Sequence, residues 1–334
     1  MTDSVPNTLV DGFGRHVEYL RLSITDRCDF RCQYCMAETM TFLPRREVLS
    51  LEELERVARV FVDLGVRKIR VTGGEPLVRR GVDEFLANLG KVPELRELAM
   101  TTNGSQLASR AVTLRESGLS SVNISLDTLD PAGFTELTRT GKLSQVIAGI
   151  DAAVAAGIPR IRLNAVILSG QNEDQVIPLT EFAIERGIDI AFIEEMPLGQ
   201  VTQGGKPLAL FDSDSVLDLL RDQWQLNATT AGPQSGPARY FAIEGSDSRI
   251  GVISPHSNNF CGACNRLRVT AEGRLLLCLG NEHSISLRDL MRQGYTDSEL
   301  KSAIASALAA KPERHHFDAP DEPQIIRFMN ASGG

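Results

Sequence analysis

Six short strand-like runs separated by helix-like runs most tightly constrain what this chain can fold into. The β-type segments span residues 18–24, 68–72, 95–101, 121–126, 160–168 and 189–194. Between them apolar residues recur at helical spacing. The first such run opens on Ser50-Leu51-Glu52-Glu53, a capping-box pattern, and carries Leu51, Leu54, Val57, Ala58, Val60 and Phe61 on one broad face. Further helix-like runs lie near 82–89, 106–117, 143–156 and 173–186, with Gly118, Gly157 and Gly187 placed to cap their ends. Strands alternating with helices pair in parallel, because a parallel neighbour needs a crossover connection. Six βα units fall two short of a closed eight-stranded barrel, so the expected fold is α/β, an incomplete (βα)6 TIM-like barrel. Its chemistry is expected at the C-terminal ends of the strands.

Past residue 200 the pattern changes. Glycines at 204–205 and 232–236 mark loops around a helix-like run at 213–224. Short strand-like runs follow at 240–242, 250–253, 267–270 and 274–277, the last two joined across Glu272-Gly273 as a hairpin, and a helix pattern covers 297–308. The expected organisation is an N-terminal extension at 1–17, a partial barrel at 18–200, and a C-terminal α+β region at 201–334 that covers the barrel's open side.

The net charge of −8 argues against a nucleic-acid binder, whose phosphate contacts demand a basic surface. An anionic substrate would need arginines gathered locally. No run approaches the roughly 18 apolar residues of a membrane span. The first twelve residues lack the basic start and apolar run of a signal peptide, so a cytoplasmic protein is expected. Six cysteines in that compartment point to metal or catalysis rather than to disulfides.

Three of them, Cys28, Cys32 and Cys35, stand at C-x3-C-x2-C directly after the first strand. Thiolates this close on one loop can grip three corners of a [4Fe–4S] cube and leave one iron open. A zinc site closes with four ligands, and no histidine lies inside the loop. This spacing, with Tyr34 before the third cysteine, resembles the radical S-adenosylmethionine superfamily. So does Thr72-Gly73-Gly74-Glu75-Pro76 at the end of the second strand, where two glycines permit close backbone approach to a ligand. The resemblance implies that the open iron chelates the methionine moiety, and that an electron from the reduced cluster releases a 5′-deoxyadenosyl radical.

Cys261, Cys264 and Cys278 form a second set, C-x2-C-x13-C. Zinc is the competing reading here, with His256 or His283 as fourth ligand. Between the cysteines, Arg266 and Arg268 alternate along a strand and project to one face, where two guanidiniums suit phosphate. Two such sets, the Arg-x-Arg and the closing Gly333-Gly334 resemble the GTP 3′,8-cyclase family of molybdenum cofactor biosynthesis, over residues 12–334.

That resemblance implies a lyase with two [4Fe–4S] clusters, one on Cys28, Cys32 and Cys35 and one on Cys261, Cys264 and Cys278. It places S-adenosylmethionine against Tyr34, Gly74, Ser125 and Met196. It places GTP against Arg21, Arg70, Thr101, Arg162, Arg266, Leu267 and Arg268, with the tail glycines Gly333 and Gly334 reaching into the active site. Arg21 and Arg70 also stand out unaided, as charges within otherwise apolar strands. The implied reaction is hydrogen abstraction from C3′ of the ribose and attack of that carbon on C8 of guanine. An electron donor and a downstream cyclic pyranopterin monophosphate synthase are the implied partners, with neither membrane nor nucleic acid; a homodimer is among the states allowed. Two positions depart from the family pattern: Arg162 stands where a lysine is usual, and Ala191 where an arginine is common, so that one anion contact is either missing or supplied by Arg79, Arg80 or Arg274. The rival readings are a radical enzyme modifying a peptide and a non-enzymatic scaffold with two structural metal sites.

Overall fold

The computed structural model describes residues 8–196, 198, 210–229, 236–315, 317 and 327–333. A short hairpin (β1, Leu9–Val10; β2, His16–Val17) precedes six strands at the places read from the sequence. These are β3 (Tyr19–Ser23), β4 (Lys68–Thr72), β5 (Glu97–Thr102), β6 (Leu119–Ser125), β7 (Arg160–Ile167) and β8 (Asp189–Glu194). They pair in chain order, every neighbour parallel. Between them run α1 (Leu51–Asp63), α2 (Val82–Leu89), α3 (Ala111–Glu116), α4 (Pro131–Thr138), α5 (Leu143–Ala155) and α6 (Val176–Glu185).

Alternation decides what each strand buries. In β3, Leu20 and Leu22 are fully buried in the helix-side core, whereas Arg21 points the other way. From α1, Leu54, Val57, Ala58 and Phe61 meet them in the same core. Each fully buried Leu or Phe there contributes on the order of 1.5–3 kcal/mol through area removed from water. The capping box is formed: Ser50 Oγ accepts from the Glu53 N–H at 3.1 Å, and the Glu53 carboxylate accepts from the Ser50 N–H at 2.7 Å.

Some elements differ from the expectation. The helix expected from 106 begins only at Ala111, because Gly104 takes a positive φ of 79° and the next residues close turns instead. Helix α4 was not foreseen. Its local signal is Asp130-Pro131, where the Asp130 carboxylate caps the N–H groups of Ala132 and Gly133.

After residue 200 come α7 (Ser213–Arg221), β9 (Leu226–Thr229), β10 (Arg239–Ile243), β11 (Arg249–Ile253), β12 (Arg266–Val269), β13 (Arg274–Leu276), β14 (Ser284–Ser286), α8 (Leu287–Arg292), α9 (Asp297–Leu308) and α10 (Met329–Ser332). These strands join the same sheet from both sides. β12 pairs parallel to β3 and β11 parallel to β8, giving the order β14-β13-β12-β3-β4-β5-β6-β7-β8-β11-β10-β9 among the described residues. The second cysteine set, which flanks β12, is thereby brought beside the strand that leads into the first. Among the described residues, no helix is long and apolar enough to cross a membrane.

Candidate active site

The first cysteine loop leaves β3 and is held against the loop that leaves β4. Gly74 N–H donates to the Thr25 carbonyl and Glu75 N–H to the Arg27 carbonyl, both at 2.8 Å. The glycines are needed for this contact. A Cβ on Gly73 would lie 2.6 Å from the Thr25 carbonyl oxygen, and one on Gly74 would lie 2.4 Å from that of Arg27. The close approach anticipated for a ligand is, in the structure, made to the cysteine loop. The buried Glu75 carboxylate accepts from Leu77 N–H (2.9 Å), Thr102 Oγ1 (2.8 Å) and Asn103 N–H (2.6 Å). Burial still raises its pKa to about 7, against those three donors.

Asn103 Nδ2 donates to Asp29 Oδ1 at 2.7 Å and lies 3.7 Å from Cys28 Sγ. Tyr34 donates to Asp127 Oδ2 at 2.8 Å, and Asp127 Oδ1 accepts from Val166 N–H at 2.8 Å. Asp127 was not singled out in the sequence; it follows two residues after Ser125, which ends β6 half-buried. All three thiols are hard to ionise. Burial, then the Glu75 charge, raises Cys28; burial, then Cys35 and Asp127, raises Cys32. Burial pushes Cys35 up to about 12, although a backbone hydrogen bond from Asn330 works the other way.

All six cysteines are free thiols, and among the described residues neither set is drawn into a closed ligand cage. The donor chemistry nevertheless fits an iron–sulfur cluster. Each set offers three soft sulfurs on neighbouring backbone, and a cationic cluster is what turns buried thiols into thiolates.

Beside the second set lies a cavity of about 550 Å³. Cys261, Cys264 and Cys278 line it, as do Arg21, Arg70, Arg162, Arg266, Arg268 and Met196 among the residues expected at the site. Tyr34, Gly74, Ser125 and Thr101 do not. Thr101 Oγ1 is buried with no hydrogen-bond partner among the described residues. Leu267 does not line the cavity either: its side chain is in the core at 1% exposure. Gly333 carries a φ of +78°, and a Cβ there would fall 2.0 Å from Thr72 Oγ1. Its carbonyl accepts from Arg268 Nη1 at 2.7 Å, while Asn330 Nδ2 donates to the Asp26 carbonyl at 3.0 Å. The tail thus threads between the first cysteine loop and the cavity arginines; Gly334 lies outside the described residues, as do His316 and the loop at 202–206.

Nine Lys and Arg side chains and two carboxylates line the cavity among the described residues, in a chain of net charge −8. The arginines are gathered locally, as an anionic substrate requires. Arg70 donates from Nε to Tyr19 Oη (2.8 Å), from Nη1 to the Met100 carbonyl (2.6 Å) and from Nη2 to Ser121 Oγ (3.3 Å). Glu97 pairs with Lys68 and Arg160, each at 3.0 Å. Burial opposes ionisation of Tyr19, but Arg70, Arg21 and Lys68 outweigh it and hold the phenol at about 7. Burial, together with repulsion from Arg70, Arg266 and Arg162, lowers Arg21 to about 10. Burial and then Arg21 and Arg266 bring Arg268 well below the usual guanidinium range. A polyanion relieves that repulsion.

Two cations missed in the sequence hold the second cysteine loop. Lys311 is buried at 3% exposure; its Nζ donates to the Leu277 carbonyl at 2.6 Å and the Arg266 carbonyl at 3.2 Å, and lies 3.7 Å from Cys264 Sγ. Arg15, ion-paired to Asp11 at 2.6 Å, donates to the carbonyls of Cys261 (2.8 Å), Pro312 and Glu313 (both 2.7 Å). Burial resists ionisation of Cys264, but Arg266 and Lys311 hold its thiol at about 7. Neither histidine offered for zinc joins the set. His256 Nε2 is bonded to the Glu195 carbonyl at 2.8 Å and therefore carries the proton, and His283 is exposed. Arg79 donates to the carbonyls of Ile24 and Leu49, Arg80 and Arg274 are exposed, and none of the three lines the cavity.

A parallel α/β sheet with this loop at its strand ends is the framework of radical S-adenosylmethionine proteins. Residues 22–183 match the Radical SAM superfamily, and residues 188–317 match Molybdenum Cofactor Synthesis C. The crystal structure of Streptococcus suis SuiB bound to precursor peptide SuiA shares the fold (TM-score 0.64, 19% identity), covering 94% of this chain and 76% of that one. The GTP 3′,8-cyclase of Pseudomonas entomophila (strain L48) is 56% identical over 98% of this chain and 99% of its own. GTP 3′,8-cyclase 1 of Pseudomonas aeruginosa is 58% identical over 97% and 99%. The chain belongs to the GTP 3′,8-cyclase family.

Proposed function

We propose that this chain converts GTP to (8S)-3′,8-cyclo-7,8-dihydroguanosine 5′-triphosphate, the first step of molybdenum cofactor biosynthesis, with two [4Fe–4S] clusters and S-adenosylmethionine. The observation that carries this reading is the concentration of nine basic side chains beside the second cysteine set, in a cavity whose wall includes Met196. We infer that the parallel strands curl into the expected open barrel, because residues of β3, β4, β6, β7, β8, β11 and β12 line that one cavity.

Cys28, Cys32 and Cys35 would hold the first cluster, with Tyr34, Gly74, Ser125 and Met196 toward S-adenosylmethionine; Cys261, Cys264 and Cys278 would hold the second. When bound, the first cluster and its ligand supply the one-electron chemistry that takes the ribose hydrogen. The chain's own residues do the remainder. Arg21, Arg162, Arg266 and Arg268 bind the triphosphate, and their mutual repulsion makes an anion the stable occupant. Arg70, tied to Tyr19, Met100 and Ser121, contributes charge from a fixed position. The Gly333 carbonyl orients Arg268, and the α10 tail closes the space between the loop and the cavity, excluding water from a reactive carbon centre. The division at residue 200, a reductant protein and a downstream synthase belong to this reading.

Anaerobic turnover tests it. Protein reconstituted with iron and sulfide, given dithionite, S-adenosylmethionine and GTP, is expected to yield 5′-deoxyadenosine and cyclised GTP together by mass spectrometry. Deoxyadenosine without a GTP product would overturn the substrate assignment and leave the radical class.

A further inference from the structure

Arg162 is pinned at two of its three nitrogens. Nε donates to Asn164 Oδ1 at 3.0 Å, and Nη1 donates to the hydroxyl of Tyr240. Tyr240 comes from β10, beyond residue 200, and lines the cavity with Arg162 and Asn164. Its ring also lies 4.9 Å from the guanidinium of Arg249 on β11. Arg249 is itself set by a two-point pair with Asp189, Nη2 to Oδ2 at 2.6 Å and Nε to Oδ1 at 3.2 Å. The Arg249 side chain is 44% exposed, so this group stands where the cavity opens to solvent.

The space that Tyr240 occupies has a cause in the sequence. Asp189, Ala191 and Ile193 alternate along β8, and since Asp189 and Ile193 line the cavity, Ala191 faces the same side. Ala191 is completely covered, in a small cluster with Ala238 and Ile253 against which Tyr240 packs. Gly251 sits between them in register: a Cβ there would come within 3.2 Å of both Ala191 Cβ and Tyr240 Cε1. The small residues at 191 and 251 form the slot in which the ring lies.

We propose that Tyr240 is a positioning residue that holds Arg162 and Arg249 as a paired guanidinium site for the phosphate end of the nucleoside triphosphate. This rests on the cyclase reading given above. An aromatic face and a hydroxyl fix both forks from one side chain, and pre-set forks bind phosphate with less ordering cost than free ones.

The test is equilibrium binding of GTP, GDP, GMP and guanosine, under anaerobic conditions, to the full-length reconstituted enzyme and to Tyr240→Phe. The wild type is expected to lose affinity as phosphates are removed. Tyr240→Phe is expected to weaken GTP about tenfold, the scale of one charge-assisted hydrogen bond, and to leave guanosine unchanged. The KM for GTP should rise by a similar factor while kcat holds. Arg249→Gln, read in the same series, is expected to show the same dependence on phosphate number and carries the test if Tyr240→Phe lowers the melting temperature. A loss equal for GTP and guanosine, or no loss in either variant, overturns the positioning role while leaving the cyclase reading in place. A wild type that binds no guanine nucleotide overturns both.

Discussion

Burial keeps the Cys28, Cys32 and Cys35 thiols protonated, and the charges of Asp29, Glu75 and Asp127 add to it. Around Cys264 the cations Arg266 and Lys311 outweigh burial, whereas burial still raises the thiol of Cys261 in the same set. Sets with the same number of sulfurs are therefore built for different neighbours. The first loop packs against the Gly73-Gly74 turn and is tied to the α10 tail, with its three cysteines half-buried. The second opens on a basic cavity, which suits a polyanionic substrate. What separates the two sets is the charge around Cys28 and Cys32 on one side and Cys264 on the other.

The largest break in that comparison is expected from Cys32→Ser. It should abolish 5′-deoxyadenosine formation under reducing conditions while GTP still binds; retained deoxyadenosine formation would remove the first loop from the redox role. Next is a pair of glycine substitutions. Gly74→Ala drives a Cβ to within 2.4 Å of the Arg27 carbonyl and should cost about 1–3 kcal/mol in chemical denaturation. Gly262→Ala in the second loop meets nothing within 4 Å and should stay within about 0.5 kcal/mol. Equal costs would mean that the two loops are equally close-packed. Lys311→Met leaves the Leu277 and Arg266 carbonyls without their donor, and is expected to cost about 1–2 kcal/mol and to lower iron content by one cluster's worth. A variant that keeps all its iron would show that the cation does not hold the second loop.

The smallest effect is a pH dependence. The Tyr19 phenol ionises near 7 when folded, against an ordinary value of 10.0. A lowered acid pKa means that the folded state binds fewer protons between the two values. Its contribution is then full above about pH 10 and is lost as pH falls through about 7. Wild type should gain stability over Tyr19→Phe as pH is raised across that window. A difference that stays flat would contradict a phenolate among the cavity cations.

The strands of the parallel sheet and both cysteine sets were legible because their signals are local. Alternation marks β3 to β8, and the spacing of Cys28, Cys32 and Cys35 needs no partner to be read. Helix α9 falls at the residues expected from the sequence, 297–308, and the structure shows Thr296 and Glu299 closing a capping box at its start. What stayed hidden acts across long separations. Lys311 looks like an ordinary end of helix before Pro312, and Arg15 like part of a loose extension, until β12 pairs with β3 and draws the second loop beside them. Tyr240 sits in a short strand whose place depends on β11 joining β8. The glycines of the β4 turn are visible in the sequence by their type, but the backbone they accommodate belongs to another loop.

The separation of roles between the two cysteine sets is tested most directly by Cys261→Ser, assayed anaerobically after reconstitution with S-adenosylmethionine and GTP. The account predicts that 5′-deoxyadenosine is still released while cyclised GTP is lost. Full cyclase activity in that variant would contradict it.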